Sequence, residues 1–466
     1  MHMSRPLSGV VGINMAKKNI STGPALANAL EKYDLVCGLE VHAELKTKSK
    51  MFCGCVNDPF HAPSPNTYTC PVCLGMPGGL PVPNKTAIEW SIKLGLALDA
   101  KINRFSKFDR KNYFYPDLAK GYQISQYDIP FCEGGAVKLP EGTVTLTRIH
   151  LEEDTGKLQH TAIDGRKVSL LDFNRSGVPL AEIVSEPDIK SPAHAAAYGR
   201  ELRRLMRYLE IADCDMEQGG MRLEANISLK PKGQKKLPDY KVEVKNINSF
   251  RFLEQAIEFE IIRQAQLLSA GKTPAQETRG FRPNSGQTFS QRTKETAADY
   301  RYFPDPDIPP IRFSESDIKE LRSQLPPPQS TVVQQWADQF SIEARYGEVL
   351  SATQTSHAFW TKVWQKEKSV ANAIAGAVIN KKIIVGPDAT PESVISSFKT
   401  LATSDNISEA ELEQAISTVI ANEAEAVAKY QAGETKVLGF LIGQTMKVLK
   451  KKADPKLIQQ ALNSAL

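Results

Sequence analysis

The chain has 466 residues, 41% hydrophobic and 24% charged, and its 58 Lys+Arg against 53 Asp+Glu leave a formal charge of +5. That balance excludes a generally polycationic binder, so any nucleic acid must be met by a local basic patch. No apolar run reaches the about 18 residues of a membrane helix, and residues 1 to 30 lack the apolar core of a secretory signal. At about 150 residues per domain the length suggests two to four units.

In chain order, residues 1–32 read as a disordered leader. Arg5, Lys17 and Lys18 precede the first acidic residue, Glu31, so a transit peptide to an organellar matrix stands beside the cytoplasmic, bacterial reading. From Gly38 to Lys46 polar and apolar residues alternate. In a strand this puts Glu40, His42 and Glu44 on one face and Leu39, Val41, Ala43 and Leu45 on the other. An imidazole between carboxylates suits Mg²⁺ or Mn²⁺ when further oxygen ligands arrive from elsewhere, although an ordinary solvated strand face has the same pattern. Next come Cys53-x-Cys55 and Cys70-x-x-Cys73. Two close pairs at this separation read as a closed, structural tetrahedral zinc site. Cys37, Cys132 and Cys214 are isolated and read as small core residues.

Residues 33–310 carry short β-like runs broken by Gly, Pro and Asn-Asp, which predicts an α+β body with a mixed or antiparallel sheet. Within it, Lys107–Asp117 and Lys120–Gln126 interleave basic residues with tyrosines. Lys111 offers charge for a phosphate and Tyr113 and Tyr115 offer rings for a base, or the segment is an aromatic core strand. Glu152 and Glu153 end one β-like run and Glu182 lies on another alternating run. Together with Glu40 these acids repel one another unless a cation neutralises them. Neither a P-loop nor a Gly-x-Ser-x-Gly elbow is present. Helices are expected after the Ser191-Pro192 cap, with Arg200, Arg203, Arg204 and Arg207 on a solvated, acid-paired or phosphate-contacting face, and from Ser249 to Ala270.

Clustered prolines from Pro304 to Pro328 mark a domain boundary, and the Ala-, Glu-, Gln-, Lys- and Leu-rich remainder predicts helices over 311–400 and a small helical tail over 401–466. In the tail Leu438, Leu441, Ile442 and Leu449 share a face. Lys447, Lys450, Lys451 and Lys452 lie beside or after it, as a helix-end charge match or as a phosphate-contacting tip.

The blocks GLEVHAELKTKSKMF (38–52), KFDRKNYFYPD (107–117), KGYQISQYD (120–128), HLEEDTGK (150–157), DFNRSGVPLAEIVSEPDI (172–189), KNINSF (245–250) and DYRYFPDPDI (299–308) resemble the GatB family, one of the subunit families of the tRNA-dependent amidotransferases. The tail from Lys436 to Gln444 is similar to that family's YqeY-like C-terminal domain. The resemblance implies a catalytic cradle at 33–310 with a zinc knuckle at 53–73, an all-α linking region at 311–400 and a tRNA-binding tail. It implies an ATP-dependent carbon–nitrogen ligase within a heterotrimer made of an amidase subunit, a small belt subunit and this chain, without a membrane. The side-chain carboxylate of misacylated Glu-tRNA(Gln) or Asp-tRNA(Asn) is phosphorylated, and ammonia released from glutamine by the amidase displaces the phosphate. By position, Glu40, His42, Glu152, Glu153 and Glu182 belong to the catalytic site, with Glu40, His42, Glu152 and Glu182 holding Mg²⁺. Lys111, Tyr113 and Tyr115 face ATP, and Cys53, Cys55, Cys70 and Cys73 hold Zn²⁺. The family commonly has Asp where Glu224 stands. Two rivals are a non-catalytic zinc-containing RNA-binding protein and a metallohydrolase of a small ester, the latter disfavoured by the lack of a second histidine near the acids.

Overall fold

The structure, a computed structural model, describes residues 22–293, 297–404, 409–449 and 455–466. It divides into two compact units at Pro326/Pro327. The first is built on a ten-stranded mixed sheet. Helix α1 (Thr22–Lys32) runs into strand β1 (Tyr33–Glu44), whose alternating side sinks Leu39, Val41 and Ala43 into the core. β1 is central, antiparallel both to β3 (Pro179–Ser185) and to β4 (Met221–Pro231). Beyond β3 lies β2 (Gly142–Glu153), and beyond β4 lies β5 (Val242–Ile247).

Outside β5 the strand Glu277–Arg282 runs parallel to it. Parallel neighbours need a crossover, here supplied by α4 (Phe250–Ser269), which lies on β4 and buries Leu253, Ala256, Ile257 and Ile261. Helix α3 (Pro192–Tyr208) packs on α4. Helix α3 begins at the expected cap, and α4 ends at the expected glycine. Ser191 accepts from the His194 amide ahead of α3, and Gly271 follows α4 with φ +71°, a conformation that glycine adopts without strain. On α3, Arg200 pairs with Glu254 of α4 and Arg204 with Glu201.

Two boundaries differ from the sequence expectation. Residues 1–21 of the expected leader lie outside the described residues. Its last eleven residues, Thr22–Lys32, form a helix that packs on α4, because Leu26, Ala29 and Leu30 give it one apolar face. The first unit also continues past residue 310. Ile311–Arg312 pairs with Phe105–Ser106, and Leu321, on a helix capped by Ser314, is buried in the first core together with α2 (Lys85–Ala97).

The described residues of the second unit are helical and hold two separate apolar clusters. Trp336, Trp360, Trp364 and Ile374 centre one, and Ile416, Val419, Leu441, Ile458 and Leu462 the other. Leu438, Ile442 and Leu449 pack beside Leu441, the face the spacing predicts. Lys447 is exposed, whereas Lys450, Lys451 and Lys452 lie outside the described residues. Among the described residues no helix is long and apolar enough to cross a membrane.

Candidate metal and nucleotide site

Three adjacent strands place one polar row across the sheet. His42 on β1 is opposite Glu182 on β3, which is opposite His150 on β2. His42 Nε2 lies 3.3 Å from Glu182 Oε2 and 3.9 Å from Glu152 Oε1. The ligand atoms of His42, Glu152 and Glu182 all lie within 4.8 Å of one another, close enough for one cation to gather them. Burial opposes a charge on His42, but Glu182, then Glu224 and Glu152, push its imidazole up to about 9. Burial likewise favours a neutral Glu182, and His150 and His42 hold it well below the carboxylate range. The cluster therefore favours positive charge, which a divalent cation could supply in place of the imidazolium proton. Among the described residues His42 Nδ1 is buried without a hydrogen-bond partner.

His150 corrects the sequence reading. Its Nε2 lies 3.2 Å from Glu182 Oε2, while its Nδ1 accepts from Arg148 Nε at 3.3 Å. A second histidine is present after all, so that argument against a metallohydrolase falls. The pattern held the signal: His150 and Glu152 are two apart on a strand and share a face.

Glu40 stands in an adjoining trio with Glu224 and Glu243, rather than in the His42 set. Glu40 faces Glu224 across β1 and β4, and Glu243 faces Asn226 across β4 and β5. Asn226 Nδ2 donates to Glu40 Oε1 at 2.8 Å, and Lys245 Nζ lies 2.9 Å from Glu224 and 3.7 Å from Glu243. Burial first, then Glu182, Glu224 and Glu243, raises the Glu40 carboxyl. Glu243 and Lys245 went unread in the sequence because their contact with Glu40 depends on a pairing some two hundred residues away. Glu153 belongs to neither trio: Lys120 Nζ lies 2.6 Å from it and the Ile124 amide donates to it at 2.9 Å. Glu44 turns to Arg222, which bonds Asp154 at 2.8 Å.

Lys111 is half-buried. Burial works against its charge, yet Glu152, then Tyr302, Tyr113 and Glu182, keep its ammonium well above the ordinary range. It stands 5.1 Å from the centre of the Tyr300 ring and 5.9 Å from that of Tyr113. Tyr113 donates to Gln123, and Tyr302 stacks on Tyr127 at 4.3 Å. Tyr115, by contrast, is exposed. The aromatic wall beside Lys111 is thus made by Tyr113, Tyr300 and Tyr302, the last two coming from the DYRYFPDPDI block.

The sulfurs of Cys53, Cys55, Cys70 and Cys73 also lie within 4.8 Å of one another. A tetrahedral Zn²⁺ with bonds of about 2.3 Å would draw them only slightly closer. Cys37, Cys132 and Cys214 are each buried, and burial pushes each thiol up to about 12. The cysteine cluster is tied to the segment that leads into β3. Ser176 Oγ donates to the Cys73 carbonyl at 3.0 Å, and Asn174 accepts from the Tyr68 amide and donates to the Ser64 carbonyl.

Residues 35–319 match the family described as the GatB/GatE catalytic domain, and residues 335–466 match the one described as the GatB domain. A relative from Thermodesulfovibrio yellowstonii is 41% identical over 92% of this chain and 98% of its own length. One from Persephonella marina is 42% identical over 93% of this chain and 100% of its own, and one from Dehalococcoides mccartyi 41% over 94% and 99%. Each of the three is described as the B subunit of an aspartyl/glutamyl-tRNA(Asn/Gln) amidotransferase.

Proposed function

Because this chain belongs to the GatB family, we propose that it is the kinase and transamidase component of a glutamine-dependent amidotransferase acting on misacylated Glu-tRNA(Gln), Asp-tRNA(Asn) or both. The observation that carries the site is the meeting of His42, Glu152 and Glu182 within 4.8 Å on adjacent strands of the part that matches the catalytic domain. A non-catalytic RNA-binding protein gives no account of two buried acidic trios side by side.

A carboxylate resists attack by ammonia until its oxygen becomes a leaving group, and phosphoryl transfer is catalysed mainly by positioning and charge. When bound, ATP and Mg²⁺ supply the phosphoryl group and the charge that neutralises it. His42, Glu152 and Glu182 would hold one cation, and Glu40, Glu224 and Glu243 a second. His150 orients Glu182 by donating to it and so fixes one ligand. Lys111 carries its positive charge beside Glu152 and the tyrosines, where it would face phosphate oxygens. The amidase partner would supply ammonia, the belt partner would hold the pair together, and the helical tail would reach the tRNA. Zn²⁺ would be structural, with all four ligand positions taken by cysteine.

The test is co-expression with candidate amidase and belt partners and assay of both misacylated tRNAs with glutamine, ATP and Mg²⁺. The intact complex is expected to form amide product, and Glu182→Gln to abolish tRNA-dependent ATP hydrolysis while assembly and zinc content persist. Turnover retained in that variant overturns the metal assignment.

A further inference from the structure

Lys50 is an unusual buried charge. It is 0% exposed, yet among the described residues no carboxylate lies within ion-pair distance of it. An ammonium has three donors and no acceptor, and burying it without a compensating charge is strongly unfavourable. Its three acceptors are the Tyr68 carbonyl at 2.7 Å, the Phe173 carbonyl at 3.3 Å and Cys73 Sγ at 3.9 Å. Two of these are neutral dipoles. Of the three, only the cysteine sulfur can carry a compensating negative charge.

Four thiolates around Zn²⁺ carry a net charge of about −2, more than enough to offset one buried ammonium, whereas four neutral thiols carry none. Gly177 packs beside both groups: its φ of +85° is one that glycine adopts without strain, and a Cβ there would be in ordinary contact with Cys73 Cβ at 3.5 Å and Lys50 Cδ at 3.6 Å. The Gly177 carbonyl accepts from the Met51 amide at 2.7 Å, so the chain beside Lys50 is fixed.

The geometry points to Lys50 as an outer-sphere positioning residue of the cysteine-bound metal, its ammonium donating to Cys73 Sγ and offsetting the charge of the tetrathiolate. This rests on the reading that the four cysteines hold zinc. In the sequence Lys50 stands in Lys46-Thr47-Lys48-Ser49-Lys50, where it looks like one more solvated lysine. The structure separates it from Lys46, which pairs with Asp213 at the surface. Because Lys50 also bonds Phe173, just ahead of β3, it joins the knuckle to the strand that carries Glu182.

The experiment uses the full chain as purified, with Lys50→Met to keep the stem and remove the donors, and Lys50→Arg to keep the charge. Zinc content is measured first, and then the rate of zinc transfer to a chromogenic chelator. Loss of an outer-sphere donor is expected to speed release or weaken affinity about 10–100-fold in Lys50→Met, with Lys50→Arg between it and the parent. In Co²⁺-substituted protein the sulfur-to-cobalt charge-transfer band is expected to move to longer wavelength in Lys50→Met, since a thiolate that has lost its donor gives up electrons more easily. A role in packing alone leaves that band in place. Zinc absent from the parent overturns the zinc reading on which this rests. Zinc present, with release rate and band unchanged in Lys50→Met, overturns the role of Lys50 and leaves the zinc reading intact.

Discussion

His150 and Glu182 face each other across β2 and β3, with Nε2 and Oε2 3.2 Å apart, and the Arg148 donor on Nδ1 leaves Nε2 as the nitrogen that bears hydrogen toward the carboxylate. Glu182 is thereby held between two imidazoles. Replacing His150 by Gln keeps a donor, whereas Ala removes it. His150→Ala is expected to lower tRNA-dependent ATP hydrolysis about 10–100-fold and to raise the Mg²⁺ concentration for half-maximal rate, with His150→Gln closer to the parent. A Mg²⁺ titration of the steady-state rate checks this; equal curves for the two variants remove the orienting role.

Lys111 should separate nucleotide binding from metal binding. Lys111→Met is expected to raise KM for ATP about tenfold or more with zinc content and Tm unchanged, as the removal of one charge-assisted bond to phosphate would. Initial rates over a range of ATP concentrations measure it. An unchanged KM with a collapsed Tm would make Lys111 a structural partner of Glu152.

Glu44 supplies a pH dependence whose sign can be worked out. Burial first, then Asp154, pushes its carboxyl up to about 8, against an ordinary value of 4.5. Between those two pH values the folded chain keeps a proton that the unfolded chain has released, so this group's contribution makes stability fall as pH rises from 4.5 to about 8. Asp154 acts in the opposite direction. Burial opposes its charge, but Arg222 and Arg175 hold it well below the carboxylate range, a contribution present above its ordinary 3.8 and lost as pH falls below it. Glu44→Gln is expected to raise Tm on the order of 2 °C at pH 8 and to leave it unchanged at pH 4. Thermal melts of parent and variant across that range provide the comparison.

Much of this site is visible in the sequence, and what is not has a physical reason. The alternation around Glu40 and His42 fixes which side chains share a face, and the Cys spacing brings its two pairs together, because both are local properties. Which acids meet one another is not local. Glu40 and His42 lie on one face of one strand, yet one turns to Glu224 and Glu243 and the other to Glu152 and Glu182, since β4 and β3 flank opposite edges of β1. Likewise the burial of Lys50 depends on carbonyls at Tyr68 and Phe173 that only the folded chain presents.

Thiol chemistry offers a count. Exhaustive chelation of the full chain under reducing conditions, then removal of the reductant, is expected to expose Cys53, Cys55, Cys70 and Cys73 to a disulfide reagent at pH 7. Cys37, Cys132 and Cys214, buried and pushed up to about 12, should react only on unfolding. Mass spectrometry of the labelled peptides reads the outcome, and early labelling of Cys132 would contradict its burial.

Packing can be tested by a pair of substitutions. A Cβ on Gly95 of α2 would meet Cys132 Sγ at 2.4 Å and Cys132 Cβ at 3.0 Å. Gly95→Ala is expected to cost about 1–3 kcal/mol by overpacking, and Cys132→Ala in the same chain to recover part of it by removing the sulfur. Denaturant melts of the two singles and the double give the coupling, and strict additivity would place the strain elsewhere.

The central position of β1 has a consequence for how the protein is made. Both of its neighbours are encoded far downstream: β3 ends at Ser185 and β4 at Pro231, while β1 itself is complete at Glu44. At ribosomal speeds of about 5–20 residues per second, the strand bearing Glu40 and His42 waits about 10–40 s before both edges are paired. Its apolar face of Leu39, Val41, Ala43 and Leu45 is during that time the kind of segment nascent-chain chaperones cover. Neither acidic trio can form until the last of its strands has left the ribosome, so a chain terminated before β3 carries the four clustered cysteines but neither trio.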